Sequence, residues 1–346
     1  MKDIAIVAFT QSRHSAEENG ISETEMLLPL ITEVKAQVGI TRFDFTCSGS
    51  NDYLLGAPFS FVSALDAVGA WPPISESHVE MDGAWALYEA WVKMQYAEIE
   101  TALVYGFGKP SQGSLREILT RGYDPYYLAP LGVDAVSMAA LQARAYLARS
   151  GAKEGDLTAV AARSRAAGRD NPFALSLDDP AADAPYDVAP LRVHDVAPEA
   201  DGAAVVVLAT GDKVAEISAR TGLTPAWIRG IDHRADPHSP GARDLSVSPS
   251  ARIAGQKAGA TGIEVAELHV QYSHEELILR EALDLGDDVV VNPSGGPLAA
   301  NPMMAAGLIR IGEAAARIHR GENRRTLGHA TSGPCLQQNL VAVLEG

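Results

Sequence analysis

The sequence predicts an α/β protein: mixed or parallel sheet, buried on both faces and covered by helices. Three observations point there. Short runs rich in Val and Ile occupy residues 4–9, 102–105, 203–208, 263–268, 289–291 and 340–344. Runs of that length without polar alternation read as strands buried on both faces. Ala-rich helical stretches lie between them, at 83–96, 135–148, 157–167, 213–220, 251–257, 275–283 and 302–319. Strand alternating with helix implies a sheet with helices packed on it. The third is composition: 346 residues, 47% hydrophobic and 21% charged, supply apolar mass for a large core in about two domains or one large α/β unit. Global disorder is excluded.

Charge and cysteine content narrow the function classes. Asp plus Glu (44) exceed Lys plus Arg (28) by 16, which argues against a general nucleic-acid binder. An anionic small ligand held by local arginines or helix N-termini stays open. Two cysteines, Cys47 and Cys335, are too few for a disulfide framework or zinc ribbon and suit a reducing, cytoplasmic setting. The start, MKDIAIVAF, has strand length and no cleavage site after it, so it is not read as a signal peptide. No stretch approaches the ~18 apolar residues of a membrane span.

Three segments break the pattern. Residues 107–130 are rich in Gly, Pro, Ser and Tyr, and 169–195 in Asp, Pro and Ala. Together they bracket two helices as an insertion, either an ordinary excursion or a substrate-covering region. Residues 231–247 hold His233 and His238 among aspartates; a solvated loop explains them better than a metal site, and no metal is expected.

Four turns carry candidate chemistry. Glu80 and Asp82 precede Gly83 and a long helix, where Asp82 suits an N-cap. In ELHVQYSHEEL, His269 sits between a strand end and a helix whose expected capping box is Ser273 with Glu276. A histidine there is placed for proton transfer or oxyanion binding. In NPSGGPLAANP, Gly295 and Gly296 allow close backbone approach, and Asn301 is expected exposed at a helix beginning with Pro302. GHATSGPCLQQN, read as a polar turn, gathers His329, Ser332, Gly333 and Cys335; the cysteine reads as a buried apolar residue or a reactive thiol.

Taken in order, these segments resemble the thiolase superfamily, in its lipid-transfer-protein branch, related to the thiolase domain of sterol carrier protein X. The segment 148–174 is similar to that branch's loop-domain helices. PLRVHDVAPEADGAAVVVLA (190–209) is similar to its S-D-G-A-A-A segment, with Ala200 for the serine. Residues 266–285 resemble ElHDcFs-x-x-El-x-x-EaLGL, and 292–302 resemble NPSGG-x-x-x-x-GHP, one residue short. The resemblance implies two related halves, each a mixed five-stranded sheet, stacked with two helices between them. The halves would be 1–212, with a loop-domain insertion at about 107–195, and 213–346. It implies acyl-CoA thioester substrates, coenzyme A entering only as part of the substrate, and no other cofactor.

The departures from the family pattern bear on activity. The nucleophilic Cys of C-x-x-G aligns with Glu80, the GHP histidine with Asn301, and the second cysteine with His329 or a neighbour. A carboxylate cannot replace a thiolate in acyl transfer. Conventional thiolase activity is therefore not expected. The resemblance leaves three readings. One is retro-aldol cleavage of a branched β-hydroxyacyl-CoA, such as a steroid side-chain intermediate, with a DUF35-type OB-fold partner. There His269 or His329 would be the base, Tyr272 a proton donor, Glu80 and Asn301 further catalytic positions, and Gly295, Gly296, Ser332 and Gly333 substrate contacts. The second is a non-catalytic subunit of a hetero-oligomer with an active thiolase-like chain. The third is an acyl-CoA or sterol carrier using Arg163, Arg165 and Arg169. A homodimer or hetero-oligomer is expected in each.

Overall fold

In a computed structural model, which describes residues 1–69 and 72–346, ten strands form one mixed sheet. They are β1 (Ile4–Gln11), β2 (Phe45–Gly49), β3 (Glu76–Val79), β4 (Thr101–Gly108), β5 (Gly202–Thr210), β6 (Ala226–Ala235), β7 (Val265–Glu267), β8 (Val290–Val291), β9 (Arg325–Ser332) and β10 (Gln338–Glu345). Across the sheet they run β8-β7-β9-β10-β6-β1-β5-β4-β2-β3. The first five strands and the last five thus have the same internal order, each set's first strand lying at the junction. Each set also repeats the pairing senses: β2 is parallel to β3 and β4, as β7 is to β8 and β9, while β4–β5 and β9–β10 are antiparallel. The sets meet where β1 pairs with β6, Ala5 opposite Trp227 and Ile6 opposite Ala226.

Among the described residues, eight longer helices pack with this sheet: α1 (Glu23–Val38), α2 (Gly83–Tyr96), α3 (Ala135–Ser150), α4 (Glu154–Gly168), α5 (Gly211–Thr221), α6 (Pro249–Ala258), α7 (Ser273–Ala282) and α8 (Ala306–His319). Strand residues alternate between two environments, as period-2 side chains must. Ala204, Val206 and Leu208 of β5, and Leu340, Ala342 and Leu344 of β10, face a shared core containing α2 and α8. Val205 and Val207 face α1 and α5 instead, whereas Val341 and Val343 face α6 and α7. The two central helices are therefore sandwiched between the two strand sets. Both turn small residues into that core, Gly83, Ala84, Ala86 and Ala90 in α2 and Ala306, Gly307, Gly312, Ala314 and Ala315 in α8, and α8 is buried along nearly its whole length.

Several elements differ from the sequence expectation. Helix α1, with Ser22 and Glu25 forming a capping box, and strand β2 are additional elements. Residues 231–235, expected in a loop, are the end of β6. The polar turn expected at 328–339 is largely strand, because its polar side chains have partners inside the sheet: His329 Nε2 meets Asn339 Oδ1 at 2.9 Å, and Thr331 Oγ1 donates to Gln338 O at 3.0 Å. Helix α8 starts at Ala306 rather than Pro302; Asn301–Pro302 instead pairs with Glu199–Ala200, which buries Asn301. Helix α7 starts one residue away from the expected box: Tyr272 is its N-cap, and Glu275 accepts from the Gln271 and Tyr272 N–H groups at 2.8 and 3.1 Å. Ser273 donates to Asp195 at 2.7 Å, and Glu276 pairs with Arg163 and Arg280.

The excursion between β4 and β5 contains α3, α4 and the short helix Leu115–Arg121. It packs over the second strand set: Tyr146 and Val160 join that set's core, and Ala139, Ala143 and Leu157 meet Tyr272.

Candidate active site

A cavity of about 390 Å³ opens where the N-termini of α2, α7 and α8 converge with the end of β9. Its walls include Glu80, Met81 and Asp82, then His269, Gln271, Tyr272 and Glu275, then Met303 and Met304, and Thr331 to Cys335. Leu115, Ile118, Leu119, Gly122 and Tyr123 of the excursion close one side, and His238 another. The excursion therefore supplies part of the cavity wall, and so does the 231–247 segment.

The base of the cavity is built from backbone in close approach. Asp82 caps α2 by accepting from Ala84 N–H at 2.8 Å, and it also accepts from Gly307 and Leu308 N–H at the start of α8, both at 2.9 Å. Gly83 N–H donates to Met304 O at 2.8 Å. A Cβ on Gly106 would lie 2.4 Å from that same Met304 oxygen, so only glycine admits the approach. Met304 has φ of 66°, a conformation that non-glycine residues adopt at a cost.

His269 is fully enclosed. Burial lowers its pKa to about 3, with His329 and Arg310 pushing the same way and the Asn301 side chain opposing them. Thr331 N–H points at His269 Nδ1 (3.4 Å), which makes Nδ1 an acceptor and leaves the ring proton on Nε2. Nε2 lies 3.5 Å from the Gln271 side-chain nitrogen, itself a donor, so the Nε2–H is not taken up there. A neutral imidazole with an available Nε2–H is a hydrogen-bond donor, suited to a carbonyl oxygen that becomes an oxyanion. Beside it, Asn301 Oδ1 is buried without a hydrogen-bond partner among the described residues.

His329 lies behind His269, outside the cavity wall. Its Nδ1 accepts from the His269 backbone N–H at 3.3 Å and its Nε2 donates to Asn339 Oδ1 at 2.9 Å. Asn339 is held in turn by Ser250 Oγ (2.7 Å) and Leu336 O (2.8 Å). Both ring nitrogens are thus occupied, and burial lowers the pKa to about 4.

Glu80 stands at the cavity mouth, its side chain 45% exposed, accepting from Asp52 N–H at 2.6 Å and lying 3.3 Å from His78 Nε2. Tyr272 is in the wall, its phenol pushed well up by burial and by Glu275. Ser332 and Gly333 also line the cavity. Gly295 and Gly296 do not line it. They have φ of 94° and 61° and pack against Gly168 of α4 and the Asn292 side chain, so they shape the loop behind β7.

The thiols are placed for packing. Cys335 Sγ donates to Met138 O at 3.3 Å, and burial raises its pKa to about 12. Cys47 is enclosed in β2 and is raised likewise to about 12. Among the described residues, no group of three or more His, Cys, Asp or Glu is arranged to hold a metal ion, and no helix is long and apolar enough to cross a membrane. His233 packs edge-on to Trp85, with ring centroids 5.5 Å apart.

Glu275 and Tyr123 were not singled out by the sequence, and His238 was read as part of a solvated loop. Glu275 was hidden by the one-residue shift of the α7 cap, and Tyr123 by a segment with no periodicity.

Among solved structures, the chain is similar to "Ltp2-ChsH2(DUF35) aldolase", with a TM-score of 0.80 and 20% identity over 99% of this chain and 98% of that one. It is also similar to human mitochondrial 3-ketoacyl-CoA thiolase, with a TM-score of 0.78 and 13% identity over 100% and 99% of the two chains. The same human enzyme in complex with CoA gives 0.76 and 13%, over 100% and 98%. The fold is the thiolase fold. No family model matches the sequence, and no curated protein matches it. In thiolase-fold terms, α2 and α8 are the buried central helices, and the cavity sits at their shared N-terminal end.

Proposed function

We propose that this chain is a carbon–carbon lyase of the lipid-transfer-protein type, cleaving a branched β-hydroxyacyl-CoA by retro-aldol chemistry, with a steroid side-chain intermediate as the substrate to test first. The observation that carries the reading is the combination at the head of α2. The sequence resemblance aligns Glu80 with the nucleophilic cysteine, Asp82 is locked between two helices, and yet a neutral His269 stands in the cavity with its Nε2–H not taken up. Retro-aldol cleavage dispenses with an acyl-enzyme but requires a donor for the enolate oxygen. The likeness to an aldolase of the same fold supports it.

In this reading His269 Nε2–H binds the thioester oxygen. Proton removal from the β-hydroxyl lets the Cα–Cβ bond break, giving a ketone or aldehyde and an enolate held by His269. Protonation at Cα then completes the shortened acyl-CoA. Tyr272 contacts the reacting oxygen as a proton donor, His329 positions His269 from behind, and Asn301 orients its ring. Ser332 and Gly333 bound the acyl group, and Glu80 marks the entrance. Coenzyme A enters as part of the substrate, and no other cofactor is required. We place the boundary of the halves near residue 212, and the chain in the cytoplasm as a homodimer or in a hetero-oligomer. The similar aldolase pairs Ltp2 with ChsH2, a DUF35 protein, which makes an OB-fold chain of that kind the partner to test. For the carrier reading, Arg163, Arg165 and Arg169 are already engaged, by Glu276, by Asp178 O and by Asp179 respectively.

The test is mass spectrometry of β-hydroxyacyl-CoA substrates incubated with the chain alone and co-expressed with an OB-fold partner. A shortened acyl-CoA plus a carbonyl product, lost on His269→Ala, is expected. Cleavage that requires a thiolase-like partner and survives His269→Ala would make this chain a non-catalytic subunit, and binding without cleavage would make it a carrier.

A further inference from the structure

Neither His269 nor His329, the bases the sequence suggests, can serve, and Asn301 and Glu80 do not replace them. Nδ1 of His269 is occupied by Thr331 N–H, His329 is tied at both nitrogens, Asn301 does not titrate, and Glu80 stands in solvent at the mouth. We infer that Glu275 is the catalytic base of this cavity, and that the same carboxyl group returns the proton to Cα. The inference rests on the lyase reading above and supplies the group that reading lacks.

The argument begins with two adjacent glutamates. Glu275 and Glu276 are both buried at the start of α7. Glu276 points away from the cavity and is neutralised by Arg163 and by Arg280, whose Nε lies 3.0 Å away. Its charge is fully answered, as a structural buried carboxylate requires. Glu275 lines the cavity, and no Lys or Arg among the described residues pairs with it. Its hydrogen bonds, from Gln271 and Tyr272 N–H, both fall on Oε2. They anchor the carboxyl and leave Oε1 for a ligand.

The surroundings hold it near neutrality. Burial raises the Glu275 pKa to about 8, against the two backbone hydrogen bonds. The other titratable groups around it are Tyr272 on its own helix, Tyr123 from the excursion and Cys335 beyond β9, all pushed upward and so uncharged at neutral pH. His274, on the opposite side of the helix start, is neutral and bonded to Gln142 at 3.0 Å. A carboxyl group poised in this way both accepts and releases a proton near the working pH. The balance closes on the substrate: ionised Glu275 takes the β-hydroxyl proton, the Cα–Cβ bonding pair moves into the enolate, and the Glu275 proton then goes to Cα. No oxidant, metal or net proton is consumed.

Glu275→Gln is the informative variant, because its amide oxygen can keep the Oε2 role of capping α7. Where wild type cleaves, kcat should fall by about 10²–10⁴-fold with KM within about twofold, and the pH limb near 8 should disappear. Retention of kcat within about threefold with the same pH limb overturns the inference. A second measurement separates it from the parent reading: exchange of α-hydrogens of propionyl-CoA in D2O, which needs only the base and the enolate site. Exchange by wild type and none by Glu275→Gln supports Glu275 as the base even where no aldol substrate is cleaved, a result that would sink the lyase reading alone. Equal exchange by both proteins, or none by wild type, overturns the assignment of Glu275.

Discussion

Asp82, at the head of one central helix, accepts a hydrogen bond from the backbone N–H of Gly307, at the head of the other, at 2.9 Å. One carboxylate thus caps two helices, since it also accepts from Ala84 and Leu308. Helix N-termini facing a cavity ordinarily concentrate positive potential that favours a thiolate or another anion. Here that potential is answered from within the protein, which fits a site that does not use a charged nucleophile at this point.

Removing the carboxylate should therefore cost folding stability. Asp82→Ala leaves buried N–H groups of both helices unsatisfied, and a loss of about 3 kcal/mol is expected from urea unfolding. Asp82→Asn, which keeps one acceptor oxygen, should lie between. An Asp82→Ala protein within about 0.5 kcal/mol of wild type would show that the shared cap carries little of the central packing.

The thiols give a second expectation. Both cysteines are buried with pKa values raised to about 12. Compared with a free thiol, the thiolate fraction is smaller by roughly 10³-fold, so labelling by a disulfide reagent should be slow in the native protein and rapid in urea. Fast native labelling of Cys335 would show that this part of the cavity wall opens in solution.

The main sheet was largely legible in the sequence because its strands are buried on both faces and carry uninterrupted apolar runs. Residues 102–105 and 203–208 are of this kind. Strand β9 was not, because Gly328, His329 and Thr331 look like turn residues until the partners of His329 and Thr331 in the sheet are known. The cavity lining was legible where a side chain follows a strand end, as with His269 and Tyr272. It was not legible where a cap shifts by one residue. Moving the N-cap of α7 from Ser273 to Tyr272 exchanges Glu276, bound by two arginines, for Glu275, bound by none, and the choice between them depends on Arg163 more than a hundred residues away.

Buried histidines set the acid limb of stability. His14, His269, His274 and His329 are lowered to between about 3 and 4, first by burial. Their folded values lie below the unfolded value of 6.5, so the unfolded chain takes up protons that the native chain refuses. Stability is then present above 6.5 and falls as pH drops toward the folded values, by about 1.4 kcal/mol per pH unit for each histidine. His274→Gln should reduce that slope by about one proton's worth in urea titrations at pH 7, 6 and 5. An unchanged slope would remove His274 from the account.

Glu275 contributes with the opposite sign. Its folded pKa, raised to about 8, exceeds the ordinary 4.5, so its contribution is full below 4.5 and is lost as pH rises through 8. Relative to Glu275→Gln, wild type should lose stability from about pH 5 to pH 8 and little more above that. Parallel curves for the two proteins would mean that Glu275 is ionised well below neutrality.

The last expectation concerns what holds the strand end beneath His269. Arg310 of α8 pairs with Glu267 of β7 at 2.7 Å, both buried, and Ser294 donates to Glu267 through its backbone N–H and its hydroxyl at 3.1 and 2.7 Å. The pair ties a central helix to the strand leading into His269 and to the loop of Gly295 and Gly296. Arg310→Met strands a carboxylate in the core and should cost about 3–5 kcal/mol, whereas Glu267→Gln with Arg310→Met should recover most of that loss, because desolvating two charges offsets much of their attraction. Arg310 also lowers the His269 pKa. The folded double variant should therefore show a His269 ring titrating at higher pH by NMR. A double variant as unstable as Arg310→Met alone would mean that the pair is needed for the geometry of the β7–α8 contact and not merely to balance charge.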